Sequence, residues 1–433
     1  MSTAADSLRA HAAVRGPALP GRELPWLASL RERALAAFAE QGIPTTRHED
    51  WRFTSLRRLE QTAFEPAAKP GASALPALPA LGVVQPLVFV DGRCDAARSQ
   101  PSACASSLAQ ALEREPESFR ERLGSLACEK SGPFPALNTA LFEDGLCVRV
   151  PAGQLLAQPI CACFVHTGGQ QAVHPRNWIE LGEGARAVVL EVHVGTPEPG
   201  LTNAVTEIRV GRGARLEHVK LQLEGPETWH LARVAVHQER DSHFAQHSLA
   251  LGAGLSRVEI RSELAGEGAH TTLRGLYLAS GAQHVDHHTT IDHATPHTTS
   301  DELYKGVLGG RSRGVFHGRI HVRPHAQKIQ ALQTNRNLLL SDNAVIHTKP
   351  QLEIYADDVR CSHGASIGRL DADALFFLRA RGIGEREARA LLTLAFAREI
   401  ATGLPAAELA DAVEACIDRA LEPAQSTGAE DTR

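Results

Sequence analysis

Cys361 and His363 stand two positions apart in the run V-R-C-S-H-G-A, inside a segment, residues 350–364, that reads as alternating strand. On an extended backbone every second side chain points the same way, so a thiol and an imidazole project together. Such a pair suits ligation of a soft metal ion, activation of a nucleophile, or plain filling of a joint between elements. The second concentration of chemistry is the run Q-H-V-D-H-H-T-T-I-D-H-A-T-P-H at 283–297, the densest stretch among 21 histidines. On a strand, Asp286, His288 and Asp292 share one face, and His287 and His293 share the other. Two carboxylates and an imidazole fit a divalent ion, while the same alternation fits a polar, hydrogen-bonding strand surface. Cys161 and Cys163 form a C-x-C on a strand pattern with no further ligand nearby in sequence, which reads as two small buried hydrophobes.

These residues need elements to position them. After His363 the backbone is expected to turn at Gly364; Asp371 then caps a helix running through Leu375, Phe376 and Phe377 to a stop at Gly382. Upstream, from about 145 to 368, short period-two strands recur. Val188/Leu190/Val192/Val194, Val219/Leu221/Leu223, Val258/Ile260, Leu276/Leu278, Ile320/Val322 and Leu352/Ile354 alternate with mostly polar residues. Small turns separate them: G-A-R at Gly184 and Gly213, G-A-H at Gly268, G-A-Q at Gly281, and weaker versions at His325-Ala326, Asn343-Ala344 and Gly364-Ala365. Their irregular spacing excludes a strict hexapeptide repeat, and both a coiled β-helix and an antiparallel sandwich satisfy the alternation. Val188, Leu190, Val219, Leu221, Val258 and Ile260 are expected to point into the core of the β region.

The flanks have another character. Residues 27–41 carry a helical stripe that ends at Gly42 and Pro44; 65–87 is an Ala/Pro-rich linker; 87–90 is a short strand before Asp91-Gly92; and 106–126 is helical and charged. Beyond 368 the chain is helical, with Ala388, Leu391, Leu392, Ala395 and Phe396 on one face of 385–400 and a second helix at 406–421. The last twelve residues read as a polar tail. The expected organisation is a mostly helical N-terminal region (1–140), a β core (141–368) and a C-terminal helical domain (369–433).

Composition narrows the function. The 433 residues carry a net charge of -5, which gives no footprint for nucleic acid. No apolar run is long enough to cross a membrane, and M-S-T-A-A-D-S-L-R-A has no signal core, so the cytoplasm is expected. Eight cysteines include no C-x-x-C, no Gly-Lys dipeptide exists for a Walker loop, and no H-E-x-x-H occurs. The chain is not expected to be an enzyme.

The segment 350–383 closely resembles the C-terminal motif of the SufB/SufD family, proteins that help assemble iron–sulfur clusters. Two further stretches, R-H-E-D-W-R-F-T-S-L at 47–56 and N-T-A-L-F-E-D-G at 138–145, resemble the SufD branch, so the likeness touches start, middle and end in order. The resemblance implies a mainly β fold, a right-handed parallel β-helix flanked by N-terminal and C-terminal helical domains. It implies a non-catalytic scaffold that pairs with a SufB-like subunit through the end of the β-helix and binds a SufC-like ATPase through the C-terminal domain. ATP-driven closure of two ATPase copies would then strain that contact. His363, with Cys361 beside it, becomes the candidate ligand for transient iron or a nascent cluster at the contact. One Cys and one His fall short of a cluster's usual four ligands, so no cofactor is expected to stay on this chain alone. A second copy of the chain is a further candidate partner when it is isolated. The rival readings are a β-helical acyltransferase with a histidine base and a stand-alone metal-binding protein using the histidine run.

Overall fold

The computed structural model describes residues 4–66, 75, 76, 78, 79, 86–405 and 407–426. Most of the Ala/Pro-rich linker and the tail beyond Ser426 lie outside them. From Leu146 to Gly368 the chain winds as a parallel β-solenoid. From Arg176 onward successive strands alternate between two sheets, and each pairs in parallel with the strand two further along the chain. Trp229 pairs with Leu255 and Arg313 with Val345, offsets of 26 and 32 residues, so the coil has no fixed period for a repeat search to find. The solenoid also recruits upstream chain: Leu87–Val90 pairs parallel with Ile160–His166, and Ala105–Ser107 pairs antiparallel with Leu146–Val150.

The small-residue turns are the corners. Gly184 and Gly213 hold φ of 67° and 65°, the left-handed region where a Cβ is costly. Their N–H groups donate to the next corner, Gly184 to Arg212 O and Gly213 to Arg240 O. Asp241, His297 and Lys328 take the same backbone conformation at later corners, so the glycine signal fades although the geometry persists. Ala185, Ala214 and Ala269, each following a corner glycine, are fully buried. Gly364-Ala365 is not a corner. The strand Val359–Gly368 runs straight through it, and Asp371 caps the helix Ala372–Arg379 by accepting from the Asp373 and Ala374 N–H groups.

The expected core residues divide between two faces. Val258 and Ile260 point into the solenoid. Val188, Leu190, Val219 and Leu221 point outward, into an apolar layer shared with the C-terminal helices through Ala397, Ile400, Leu409, Val413 and Ile417. The reason is that the second sheet is covered on both sides, so period-two alternation cannot tell inside from outside. The residues turned inward on those strands are Ala187, Val189 and Leu216 and the buried polar Glu191, His193, His218 and Lys220.

The N-terminal helices Ala4–Arg15, Pro25–Gln41 and Pro133–Leu141 cover the outer side of the first sheet, packing Leu8, Ala34, Phe38 and Leu137 with Leu201, Trp229 and Leu255. Buried Arg31 donates to the Ala140 and Phe142 carbonyls at the end of Pro133–Leu141, which satisfies orphan helix acceptors. The charged stretch after Ser106 forms two short helices, Leu108–Arg114 and Pro116–Phe119, because Glu115-Pro116 breaks it. The last helix, Ala407–Ser426, carries on into what composition marks as tail. Among the described residues no helix is long and apolar enough to cross a membrane.

Candidate functional site at the open end of the solenoid

Both sheets end unpaired at the same end of the coil. Val345–Ile354 closes the first sheet and Val359–Gly368 the second, each with a strand neighbour on one side only among the described residues. An uncovered strand edge is a row of free N–H and C=O groups, a template for another chain. Around it stand exposed apolar side chains: Leu332, Tyr355 and Ile367, then Phe376 and Phe377 on the following helix, the last two 73% and 55% exposed. Phe376 and Phe377 sit on a helix that buries no residue of its own.

Cys361 and His363 lie on this terminal strand. In the parallel register Cys361 is matched with Ala331 and His363 with Gln333. Ala331 and Gln333 are buried and turned inward, so the pair extends that inward file one strand beyond the last covered one. Cys361 is half-buried and His363 exposed. Burial pushes the Cys361 thiol up, partly offset by a hydrogen bond with the Ala331 backbone. It therefore rests as a thiol until a cation or a partner's charge favours thiolate. The two-residue spacing does bring both groups to one side, but not through a turn at Gly364. The backbone stays extended there, and a Cβ at Gly364 would meet nothing within 4 Å.

The histidine run folds as the strand His284–His293, and its two faces have separate duties. Asp286 is wholly buried, accepting from Arg257 Nη1 at 2.5 Å and from Thr54 Oγ1 at 2.5 Å, with His288 Nε2 at 3.0 Å. Arg257 holds its carboxyl well below the ordinary range against the cost of burial. Asp292 is held by Arg323 at 2.8 Å and His321 at 3.0 Å. Both carboxylates of the metal-like face are thus engaged by guanidinium groups. On the other face, His293 meets Thr298 and Ser300 hydroxyls inside the coil. Cys161 and Cys163 lie 4.0 Å apart, sulfur to sulfur, in the outer apolar layer with Val88 and Leu190. Contact with Cys163, and then burial, raise the Cys161 thiol well above its usual value, so the pair behaves as small hydrophobes.

The motif H-E-D-W-R-F-T-S-L is a strap across the first sheet. Trp51 lies under the Arg257 guanidinium, 3.9 Å from carbon to ring centre. The Asp50 carbonyl accepts from Arg257, and Phe53 stacks on His347 with ring centres 4.1 Å apart. The other N-terminal motif contributes Asn138, whose amide donates to the Pro175 and Asn203 carbonyls at 2.8 Å each. Both motifs tie the helical cover to the solenoid.

Residues 164–396 match the family model described as the SUF system FeS cluster assembly SufBD core domain, and residues 84–161 match the SufBD protein N-terminal region. The chain belongs to the SufBD family. It is 32% identical over 381 residues to the iron–sulfur cluster assembly protein SufD of Escherichia coli, spanning 86% of this chain and 88% of the relative. It is 32% identical over 416 residues to an iron–sulfur cluster assembly SufBD family protein of Synechocystis, spanning 92% of each. A Mycobacterium tuberculosis member is 28% identical over 393 residues, spanning 89% and 91%. The SufBD core match runs through both open edges and the helix Ala372–Arg379.

Sequence reasoning within the SufBD family pattern missed the charged interior. Glu191 accepts from Lys220 at 2.5 Å and contacts His193 at 2.7 Å and His218 at 3.2 Å, all inside the coil. The signal was present in Glu191 and His193, which alternate with Leu190 and Val192, and in His218 and Lys220, which alternate with Val219 and Leu221.

Proposed function

We propose that this chain is a non-catalytic scaffold subunit for iron–sulfur cluster assembly, joined end to end with a SufB-like subunit. The observation that carries the reading is the open end itself: two unpaired ten-residue strand edges, with His363 and Cys361 on one of them. A partner solenoid offering its own edges would extend both sheets and cover the exposed Tyr355 and Ile367. His363 and Cys361 would then supply part of a ligand set that the partner, or small molecules, complete for iron or a nascent cluster as cargo. Two ligands hold such cargo loosely, which suits a protein that must hand it on. The same edges are open to a second copy of this chain in isolation.

The C-terminal helices are the proposed seat of a SufC-like ATPase. Helix Glu385–Arg398 packs Ala397 inward but leaves Leu391 44% exposed, and Phe376 and Phe377 precede it on the free helix. The likeness to an iron–sulfur cluster assembly protein SufD and to a SufBD family assembly protein supports the role. Co-expression with SufB-like and SufC-like chains tests it. A stable three-component complex with ATPase activity and cluster assembly is expected; failure to co-purify with a SufB-like chain contradicts it.

A further inference from the structure

Inside the coil, His193 on the strand Arg186–Gly195, His230 on the strand Thr228–Gln238 and Glu224, just after Arg215–Leu223, offer three ligand atoms within 4.8 Å of one another, from both sheets. All three side chains are buried. Among the described residues, His193 Nδ1 and both ring nitrogens of His230 have no hydrogen-bond partner. His230 Nδ1 lies 2.7 Å from Glu224 Oε2, off the hydrogen-bond direction. An unpaired polar atom in a closed interior has lost its water and gained nothing in return, a cost that a bound ligand relieves. One ligand atom from each of the three side chains gathers within a single ion's reach, and that point calls for an occupant.

We propose that His193, Glu224 and His230 form a binding site for a divalent transition-metal ion of the zinc or ferrous type. Two imidazoles and one carboxylate are a donor set for borderline metals rather than for calcium or magnesium, which prefer oxygen. The surroundings orient each ligand. Glu191 Oε1 sits 2.7 Å from His193 Nε2, accepts its N–H and so leaves the Nδ1 lone pair for the ion; Lys220, 2.8 Å from the same nitrogen, donates to Glu191 at 2.5 Å and balances its charge. Glu224 is held by Thr202 Oγ1 at 2.5 Å and Gln222 Nε2 at 3.0 Å. Phe164 stacks on the His193 ring and fixes its plane.

A second cluster, Asp50, His288 and His317, also brings three ligand atoms together. There Asp50 is exposed, and His288 Nε2 already has Arg257 Nη1 and Asp286 Oδ1 beside it at 3.0 Å each, so neither the enclosure nor the unpartnered ring nitrogens of the interior site are present. The interior site is also separate from His363. Six inter-strand steps divide Arg186–Gly195 from Val359–Gly368 in the second sheet, roughly 29 Å at about 4.8 Å per step.

The test uses the full chain expressed with added zinc or cobalt, purified and dialysed against EDTA, because an enclosed site fills during folding. About one equivalent of metal is expected to remain, with an anomalous scattering peak among the three side chains in crystals. His193→Gln and His230→Gln should lower retention tenfold or more, while His288→Gln and His363→Ala retain it. The proposal fails if the native chain keeps no metal. It fails equally if both interior variants keep it, or if the anomalous peak lies at His363 or at Asp50–His288–His317. Should an interior variant not fold, the position of the peak in the native chain decides. Because His363→Ala leaves this metal in place, its outcome is separate from that of the scaffold reading.

Discussion

Gln333 and His363 occupy matched positions on the last two strands of the second sheet, one fully buried and the other exposed. Gln333 donates its amide to the buried Glu302 carboxylate at 2.7 Å. His363, on the same inward file, has no further strand beside it among the described residues. A chain that added one strand to this edge would enclose His363 as Gln333 is enclosed.

Edge pairing is therefore open to interference without touching the core. Ile367 is 51% exposed on the terminal strand. Ile367→Lys places the residue that natural edges use against pairing. Binding to a SufB-like subunit, measured by co-purification or calorimetry, should weaken by about tenfold or more, while stability stays within about 0.5 kcal/mol. Unchanged binding would exclude this edge as the contact.

The strap yields a stability prediction. Arg257 and Asp286 are both buried, and Arg257→Ala would leave the carboxylate uncompensated while removing the cation over Trp51. Breaking such a pair costs about 3–5 kcal/mol. Denaturant unfolding of Arg257→Ala should show a loss of that order. A loss under about 1 kcal/mol would mean that the strap contributes little.

The legible parts of this fold were local. Gly42, Asp91-Gly92 and Asp371 mark their boundaries because turn and cap chemistry is written in one or two residues. The face assignment of Leu190 and Leu221 was not legible, since a sheet buried on both sides carries apolar residues on either face. Asp286 and Asp292 looked like ligands because their partners, Arg257 and Arg323, arrive from neighbouring coils about 30 residues away. Cys361 and His363 stand out in the sequence by their spacing and by the family resemblance, whereas the His193–Glu224–His230 group joins three separate coil segments and has no linear motif.

Glu302 predicts a pH dependence. Burial raises its carboxyl to about 7 from an ordinary 4.5. Between those values the folded chain keeps a proton that the unfolded chain releases, so stability falls as pH rises through this window and stays lower above it. The shift corresponds to roughly 3 kcal/mol. Glu302→Gln removes the penalty, so its stability relative to the native chain should improve from pH 4.5 to pH 8. Parallel curves would show that Glu302 is ionised at no cost.

The C-terminal helices cover Leu190, Val219 and Leu221, and buried Lys305 bonds the Phe396 carbonyl and Glu399. Deleting 369–433 would bare this apolar face and confound a binding test. Phe376→Ala with Phe377→Ala alters only exposed rings. A SufC-like ATPase should then bind about tenfold or more weakly, as for removal of aromatic anchors, with an unchanged unfolding midpoint. Normal binding would move the ATPase seat elsewhere.

The central claim is that His363 acts at a contact between subunits. His363→Ala is assembled into the complex with SufB-like and SufC-like chains, and cluster formation is followed by its visible absorbance. The account predicts an intact complex with normal ATPase activity, because one exposed imidazole contributes little to stability, and cluster formation reduced about tenfold or more. Cluster formation at the native rate by an intact His363→Ala complex would contradict it.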